Sequence, residues 1–215
     1  MPSGTRSIQV VLTARRTEGT YNDGYADNVS LTLGPAPQPV VGVSVNVAPV
    51  SGVVRVRLRG TNRFVNLARL RNVPVGSELD VTRGRVRLTS AAGNRRTQTS
   101  IFYAGRAVVR QPRVRTPFTN LQLSGPLSCP RRSAASADAP KPPRVRRLWG
   151  NGKGRFRTLG RYAGATVRGT IWLTEDRCDG TLIRVRQGRV DVRDNVRNRT
   201  IRLRAGQSYL ARARP

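Results

Sequence analysis

The chain has 215 residues, a net charge of +29 and no histidine. The absence of histidine removes the commonest general base and metal ligand, and it excludes Ser-His and Cys-His catalytic arrangements. Only 11 acidic residues are present, so paired carboxylates are scarce and we do not expect an enzyme. All of the 40 basic residues except Lys141 and Lys153 are arginines, which indicates either an anionic partner or the codon bias of a GC-rich genome.

Residues 1–33 contain two stretches, 8–12 and 29–33, in which apolar and polar residues alternate. This period of two predicts β-strands. Two strands alone do not form a stable unit in water, so we interpret the segment as the C-terminal strands of a truncated β-sandwich. It resembles the tail of a jelly-roll, carbohydrate-binding-like module.

The loop between these two strands offers four oxygen-bearing side chains that could hold a structural calcium ion, Asn22, Asp23, Asp27 and Asn28. Their spacing does not match an EF-hand, and Asn-Asp-Gly and Asp-Asn steps also favour turns without any metal. In jelly-roll carbohydrate modules a late-strand aspartate often serves a structural calcium, and the resemblance assigns that position to Asp27. We expect no other cofactor.

Residues 34–42, GPAPQPVVG, predict an extended proline-rich linker. From 43 to 110 the alternation of apolar and polar residues resumes and predicts successive strands. Glycines predict the turns between them, notably at Gly60 and Gly84.

Prolines interrupt this pattern between 111 and 147, which predicts a loop insertion. The part from about 130 to 147 has low complexity and many arginines, so we expect it to be disordered. Cys129 and Cys178 lie on either side of this part. They could form one disulfide in an oxidising compartment, or remain two thiols in a reducing one.

Strands return after the insertion. Asp179-Gly180 predicts a tight hairpin between strands at 171–175 and 181–186. Gln187-Gly188 and Ala205-Gly206-Gln207 predict further turns.

Two residue groups near this hairpin invite a chemical interpretation. The glycine-rich segment GNGKGR, 150–155, lacks the residue order of a phosphate-binding loop and predicts a flexible turn. The densest acidic group, Glu175, Asp176 and Asp179, lies at a predicted hairpin end without an aromatic platform, so we expect it to pair with arginines.

The segments GSELDVTRGRVRLTSA, 76–91, and GTLIRVRQGRVDVRD, 180–194, are alike. Each predicts a strand, an Arg-Gly or Gln-Gly step and a second alternating strand. We therefore predict that residues 43–215 form an all-β domain of antiparallel β-hairpins, arranged as a double-sheet or coiled β-fold with two similar halves.

Alternating arginines occupy the polar faces of the predicted strands. If neighbouring strands align, these side chains form a basic sheet face that either binds a polyanion or is simply solvated. Single-strand nucleic-acid binders interleave aromatic residues, and the arginine strands carry none, so we expect only non-specific nucleic-acid binding. The candidate residues are Arg55, Arg57, Arg85, Arg87, Arg184, Arg186, Arg202 and Arg204.

Turn glycines and strand positions in the region 43–211 resemble those of a FecR-type domain, the periplasmic sensing module of ferric-citrate signalling systems. The matching residues are Gly76, Leu79 and 86–88 in the first half, and Val167-Arg168-Gly169-Thr170, Gly188, Val190, Val192 and Ala205-Gly206-Gln207 in the second. The resemblance implies a non-catalytic, extracytoplasmic domain of the kind found in surface or secreted proteins of high-GC actinobacteria. The chain departs from signalling members because it carries neither an anti-sigma region nor a membrane span.

These observations predict a secreted or cell-surface module that binds or scaffolds at the cell envelope, with its export signal missing from this chain. The expected partners are an anionic wall polymer or carbohydrate, or an envelope protein, and no membrane insertion is expected because apolar runs are short. Two alternatives are a FecR-like sensor that relays a signal to a partner protein, and a non-specific polyanion binder that uses the arginine faces.

Overall fold

The computed structural model describes residues 37–129 and 144–213. These residues form thirteen β-strands and no helix, which confirms the all-β prediction. The strands are β1 (Ser44–Arg57), β2 (Val65–Asn66), β3 (Arg71–Pro74), β4 (Glu78–Gly93), β5 (Arg96–Tyr103), β6 (Arg106–Arg110), β7 (Thr119–Leu123), β8 (Arg146–Gly152), β9 (Phe156–Leu159), β10 (Ala163–Arg177), β11 (Gly180–Asp194), β12 (Arg199–Arg204) and β13 (Ser208–Arg212).

All these strands belong to one hydrogen-bonded sheet that closes on itself. Neighbours follow the order β12-β11-β10-β8-β5-β4-β6-β7-β9, and β9 also pairs with β10. That last pairing closes the path into a barrel. The pairs are antiparallel except for β7 and β9, which run parallel. Outside the path, β1 pairs with β2, β3 and β4, and β13 pairs with β11.

The barrel has two layers because β4 and β10 each pair with one strand over part of their length and with a different strand, along the same edge, over the rest. β4 pairs with β6 through residues 78–80 and with β5 through residues 85–93. β10 pairs with β9 through residues 164–166 and with β8 through residues 170–176. One layer therefore contains β5 and β8, and the other contains β6, β7 and β9. We call them the β5–β8 layer and the β7–β9 layer, and β4 and β10 pass from one into the other.

The core lies between the two layers. Phe102 of β5, Phe156 of β9 and Trp172 of β10 are all buried. The Phe102 ring centroid lies 5.8 Å from that of Phe156 and 6.1 Å from that of Trp172, in edge-to-face geometry. Trp172 donates a hydrogen bond from Nε1 to Thr158 Oγ1 at 2.8 Å, so its one polar atom is satisfied. Each such aromatic pair contributes about 0.5–1.5 kcal/mol beyond the burial of its area.

Each long strand carries a glycine where it changes neighbours, namely Gly52 in β1, Gly84 in β4, Gly169 in β10 and Gly188 in β11. Gly52, Gly169 and Gly188 have positive φ angles of 66°, 67° and 81°. A Cβ on Gly84 would lie 2.5 Å from the carbonyl oxygen of Val53. The turns predicted at Gly84 and Gly188 are therefore wrong, because these glycines permit bulges and close backbone approach inside strands.

The two halves that resemble each other in sequence have the same strand pairing. β4 pairs with β1 on one side and with β6 and β5 on the other, and β11 pairs in the same way with β10, β13 and β12. The connecting turns also match. The Ala104 N–H donates to the Val81 carbonyl at 2.8 Å, and the Gly206 N–H donates to the Val185 carbonyl at 2.9 Å. β4 and β11 are thus equivalent strands of an internal repeat.

The loop predicted over residues 111–147 is wrong in part. β7 lies inside it, and Leu121 of this strand is fully buried. β7 joins β6 to β9, so the barrel closes through a segment whose flanking prolines concealed a short strand. β8 begins at Arg146, within the stretch 130–147 predicted to be disordered. Residues 130–143 lie outside the described residues.

The glycine-rich segment 150–155 is also partly strand, because Gly150 and Gly152 belong to β8. A Cβ on Gly150 would lie 2.3 Å from Cη2 of Trp172, and one on Gly152 would lie 2.3 Å from Ser100 Oγ. The flexible turn predicted there is therefore limited to the residues after β8. The two strand glycines make room for neighbouring side chains.

The predicted sandwich strands of residues 1–33 lie outside the described residues. The described end of the predicted linker 34–42 contacts the domain. Pro39 is buried, and the Asn46 side chain donates a hydrogen bond to the Pro37 carbonyl at 2.6 Å. This end of the segment is therefore anchored on β1.

The hairpin predicted near Asp179-Gly180 is confirmed, but its two-residue turn is Cys178-Asp179, one position earlier, because Arg177 of β10 pairs with Gly180 of β11. Cys178 lies in this hairpin and forms a disulfide with Cys129, with a Cα–Cα distance of 5.4 Å. The bond therefore ties the middle of the predicted insertion to the β10–β11 hairpin.

We expect Gly188→Ala to destabilise the domain more than Gly206→Ala. The two glycines have φ angles of 81° and 83°, so both substitutions carry a similar backbone cost of about 1–2 kcal/mol. Only the Cβ at Gly188 would meet an atom, the Gly169 carbonyl oxygen at 2.2 Å, whereas Gly206 faces open space. Urea unfolding of both variants measures the difference. Equal losses of unfolding free energy would show that close approach at Gly188 is unimportant.

We expect reduction of the Cys129–Cys178 bond to lower the unfolding free energy by about 2–4 kcal/mol, because the bond closes a long loop. Intact mass should rise by the mass of two hydrogen atoms on reduction, because each sulfur becomes a thiol. The double variant Cys129→Ser/Cys178→Ser should match the reduced wild type in chemical unfolding and should not respond to reductant. An unchanged mass would show that the bond is absent.

Candidate functional site

The candidate arginines divide into those whose charge is balanced inside the domain and those whose charge is not. Arg55 and Arg57 of β1 belong to the first group. Arg55 Nη2 lies 2.7 Å from Asp80 Oδ2, and Arg57 forms an ion pair with Glu78. Both carboxylates are buried, and Arg106 also contacts Asp80 at 3.0 Å. These arginines therefore compensate buried acids on the outside of the β7–β9 layer.

Phe64 covers this ion cluster. The guanidinium carbons of Arg55, Arg57 and Arg106 lie 5.8, 5.1 and 5.5 Å from its ring centroid. Cation–π contacts of this kind contribute about 0.5–1 kcal/mol at exposed sites. The ring also limits access of water to the ion pairs, so the cluster is better suited to holding β1 on β4 than to binding a ligand.

The electrostatics of Asp80 follow from this packing. Burial raises the pKa of its carboxyl, but hydrogen bonds from Thr82 and Arg55 and the positive charge of Arg106 together outweigh burial. The net pKa of Asp80 is lowered from its ordinary value of 3.8. The carboxylate therefore stays ionised and keeps its arginine partners.

Of the remaining candidates, Arg202 forms an ion pair with Asp191 at 2.9 Å. The others are exposed and have no ion-pair partner among the described residues. They are Arg85 and Arg87 on β4, Arg184 and Arg186 on β11, and Arg204 on β12.

Two of these free arginines end a row of side chains that crosses the outside of the β5–β8 layer. Arg85 pairs with Tyr103, Tyr103 with Trp149, Trp149 with Leu173, and Leu173 with Arg184. Directly paired residues lie on the same face of a sheet. These residues therefore form one continuous line, which we call the arginine–aromatic row. Its four strand spacings give a length of about 19 Å.

The rings in the middle of the row stack on one another. The centroids of Tyr103 and Trp149 lie 6.1 Å apart and their planes differ by 8°. The guanidinium carbon of Arg85 lies 4.5 Å from the Tyr103 centroid. Both aromatic side chains remain partly exposed. The row thus presents apolar ring surface with an uncompensated positive charge at each end.

Tyr103 and Trp149 were not among the candidate residues predicted from the sequence. The strands β4 and β11 themselves carry arginines and no aromatic residues, as predicted. The rings come from β5 and β8, which lie between those strands in the sheet. Only the strand order reveals the alternation of cations and rings, and the partner of β5 lies beyond the insertion, so the sequence offered no signal for it.

The acidic group of the β10–β11 hairpin has structural roles. Glu175 accepts a hydrogen bond from Arg177 Nε at 2.6 Å, as expected for pairing with arginine. Asp176 is buried and accepts hydrogen bonds from Thr181 Oγ1 at 2.6 Å and from the Arg161 N–H at 2.8 Å. Asp179 is exposed. Asp176 therefore fixes the loop before β10 to β11.

The residues predicted to hold calcium, Asn22, Asp23, Asp27 and Asn28, lie outside the described residues. Within the described ranges, histidine, cysteine and acidic side chains form no group of three or more that could hold a metal ion. No helix in the same ranges is long and apolar enough to cross a membrane.

Comparisons of the chain with protein-family models, with curated proteins and with solved structures give no match. The FecR resemblance therefore stays a prediction that depends on the residues quoted above.

We expect the domain to lose stability in acid partly through Asp80. Its pKa is lower in the folded state, so its contribution is fully present above the ordinary value of 3.8 and is lost as pH falls through the folded pKa. Asp80→Asn should cost about 2–3 kcal/mol at neutral pH, because Arg55 and Arg106 lose a charged acceptor.

Urea unfolding between neutral pH and pH 3 tests this expectation, with exposed Asp179→Asn as the control. The Asp80→Asn variant should show a shallower fall of unfolding free energy in acid than the wild type and the control. Identical slopes for all three proteins would rule out the proposed role of Asp80.

Proposed function

We propose that this domain is a non-catalytic module that binds an anionic, sugar-containing polymer at the cell envelope through the arginine–aromatic row. The observation that supports the proposal most is the placement of Tyr103 and Trp149 between Arg85 and Arg184, neither of which has an acidic partner among the described residues. The arginines would contact negative groups, and the rings would contact the sugars.

The charge distribution supports an anionic ligand. Arg87 and Arg186 lie two residues from the ends of the row on the same strands, and both are exposed. Side chains two positions apart on a regular strand share a face, so Arg87 adds a second cation beside Arg85. Clustered cations of this kind attract polyanions from a distance and release their counterions on binding.

The aromatic rings support a ligand that carries rings as well as charges. In single-stranded nucleic-acid binders, each base stacked on an aromatic side chain contributes about 1–3 kcal/mol of binding free energy. Sugars also present flat apolar faces to aromatic side chains. The row therefore fits a chain that carries both rings and negative groups better than it fits a simple polyanion.

The disulfide supports the proposed location at the cell envelope. Disulfides form and persist in oxidising compartments and are rare in the cytosol. The bond between Cys129 and Cys178 thus favours an extracytoplasmic location, where anionic wall polymers are accessible. This consideration favours an envelope polymer over nucleic acid as the partner.

Heparin and polyphosphate separate the roles of rings and charges, because heparin carries sugar rings and polyphosphate does not. We expect the double variant Tyr103→Ala/Trp149→Ala to bind heparin about tenfold more weakly and polyphosphate almost normally, since only sugar contacts are lost. Arg85→Gln/Arg184→Gln should weaken both and reduce the salt dependence of binding.

Arg69→Gln provides a matched charge control, because Arg69 is exposed in the connection between β2 and β3, outside the five strands that form the row. Its effect on either ligand should be small. Thermal unfolding of every variant checks that the fold is retained. If the row variants bind heparin as tightly as the control does, the row is not the binding surface and the proposal fails.

A further inference from the structure

A second cluster of arginines lies on the outside of the β7–β9 layer. The arginine–aromatic row, in contrast, lies on the β5–β8 layer. Arg155 and Arg157 both contact the ring of Phe118, with guanidinium carbons 4.3 and 3.7 Å from its centroid. Phe118 directly precedes β7, and Arg157 lies in β9, the parallel neighbour of β7. One ring thus holds two like charges close together.

No carboxylate compensates these two charges within the described residues. Arg157 donates a hydrogen bond from Nε to Thr166 Oγ1 at 3.1 Å, which leaves its terminal nitrogens available. Burial and the neighbouring charge of Arg155 lower the pKa of Arg157. A bound anion would relieve both effects, because it replaces lost solvation and screens the repulsion.

A groove of about 520 Å³ lies beside Arg157 and provides space for such an anion. Its wall includes Phe118, Arg157, Leu159, Gly164, Thr166 and Arg193. Strand pairing sets their arrangement, since Arg157 lies opposite Thr166 and Gly164 lies opposite Arg193. Arg157 and Arg193 therefore approach the groove from two strands that flank β10.

The lining of the groove includes a hydrogen-bond donor that suits a small oxyanion. Gly164 has no side chain, and a Cβ there would lie 2.7 Å from Leu159 Cδ2, so the glycine leaves room for Leu159 in the wall. The Thr166 hydroxyl accepts from Arg157 and can donate its own hydrogen into the groove. Asp191 also lines the groove, directly opposite Thr166, and its ion pair with Arg202 at 2.9 Å offsets its negative charge.

We infer that this groove, which we call the Phe118 groove, is a binding site for a phosphate group. Arg157 presents a guanidinium oriented by Phe118 and Thr166, and a planar guanidinium can bind two phosphate oxygens at once. Arg193 and the Thr166 hydroxyl supply further donors. The inference goes beyond the polymer proposed above, since the groove uses other residues on the other layer and can bind its ligand whether or not the row binds heparin.

The test is calorimetric titration of the full chain with two probes, inorganic phosphate and a short glycerol-phosphate oligomer. We expect one of the two probes to bind at one site per chain and Arg157→Gln to weaken that binding about tenfold or more, as expected for loss of a charge-assisted, bidentate contact. Tighter binding of the oligomer would assign the site to phosphodiester chains, and tighter binding of inorganic phosphate would assign it to the free ion.

Two variants distinguish a specific phosphate site from non-specific attraction to the positive charge of the protein. Thr166→Val keeps charge and shape but removes the hydroxyl, and it should weaken the probe several-fold. Arg69→Gln removes one positive charge away from the groove and should have almost no effect. Thermal unfolding of each variant confirms that it is folded. If Arg157→Gln and Thr166→Val bind the probes like Arg69→Gln, or if neither probe binds the wild type, the inference is overturned.

Discussion

The architecture depends on one constraint. Along one edge, a long strand must stop pairing with one neighbouring strand and begin pairing with another. β4 does so between its pairings with β6 and β5, and β11 does so between β13 and β12. A regular strand cannot bend this sharply without a local irregularity. Gly84 and Gly188 lie at these two points, where a side chain would collide with the backbone of the adjacent strand. The two-layered barrel therefore depends on residues that contribute no side-chain contacts.

The same constraint determines where the candidate surfaces lie. Because β4 and β10 each belong to both layers, the shorter strands β5 and β8 are enclosed between them in one layer, and β6, β7 and β9 in the other. The first arrangement places Tyr103 and Trp149 between Arg85 and Arg184. The second brings Phe118 beside Arg157. Each surface combines residues that are far apart in sequence, and the groove beside Phe118 also requires the pairing of β9 with β10 that closes the barrel.

Much of the fold could be predicted from the sequence, because alternation of apolar and polar residues is a local signal. It predicted an all-β domain, the similarity of the two halves and the hairpin at Asp179-Gly180. Glycine was misinterpreted, since a glycine within alternating strands is compatible with either a turn or a bulge, and only the pairing partner distinguishes them. β7 was missed because five residues between prolines give too short a pattern.

The candidate site was only partly predictable. Arg85 and Arg184 were found, but their aromatic neighbours depend on the order of strands in the sheet, and Arg55 and Arg57 proved to balance buried carboxylates.

The most direct test of the proposed function observes the row itself during binding. The chain has two tryptophans, and Trp172 is buried in the core whereas Trp149 lies partly exposed in the row. In a ¹H–¹⁵N NMR titration with heparin, their two indole N–H signals therefore report on the core and on the row separately. We expect the Trp149 signal to shift progressively while the Trp172 signal stays in place. Binding of heparin with no change at Trp149 would contradict the assignment of the arginine–aromatic row as the ligand-binding surface.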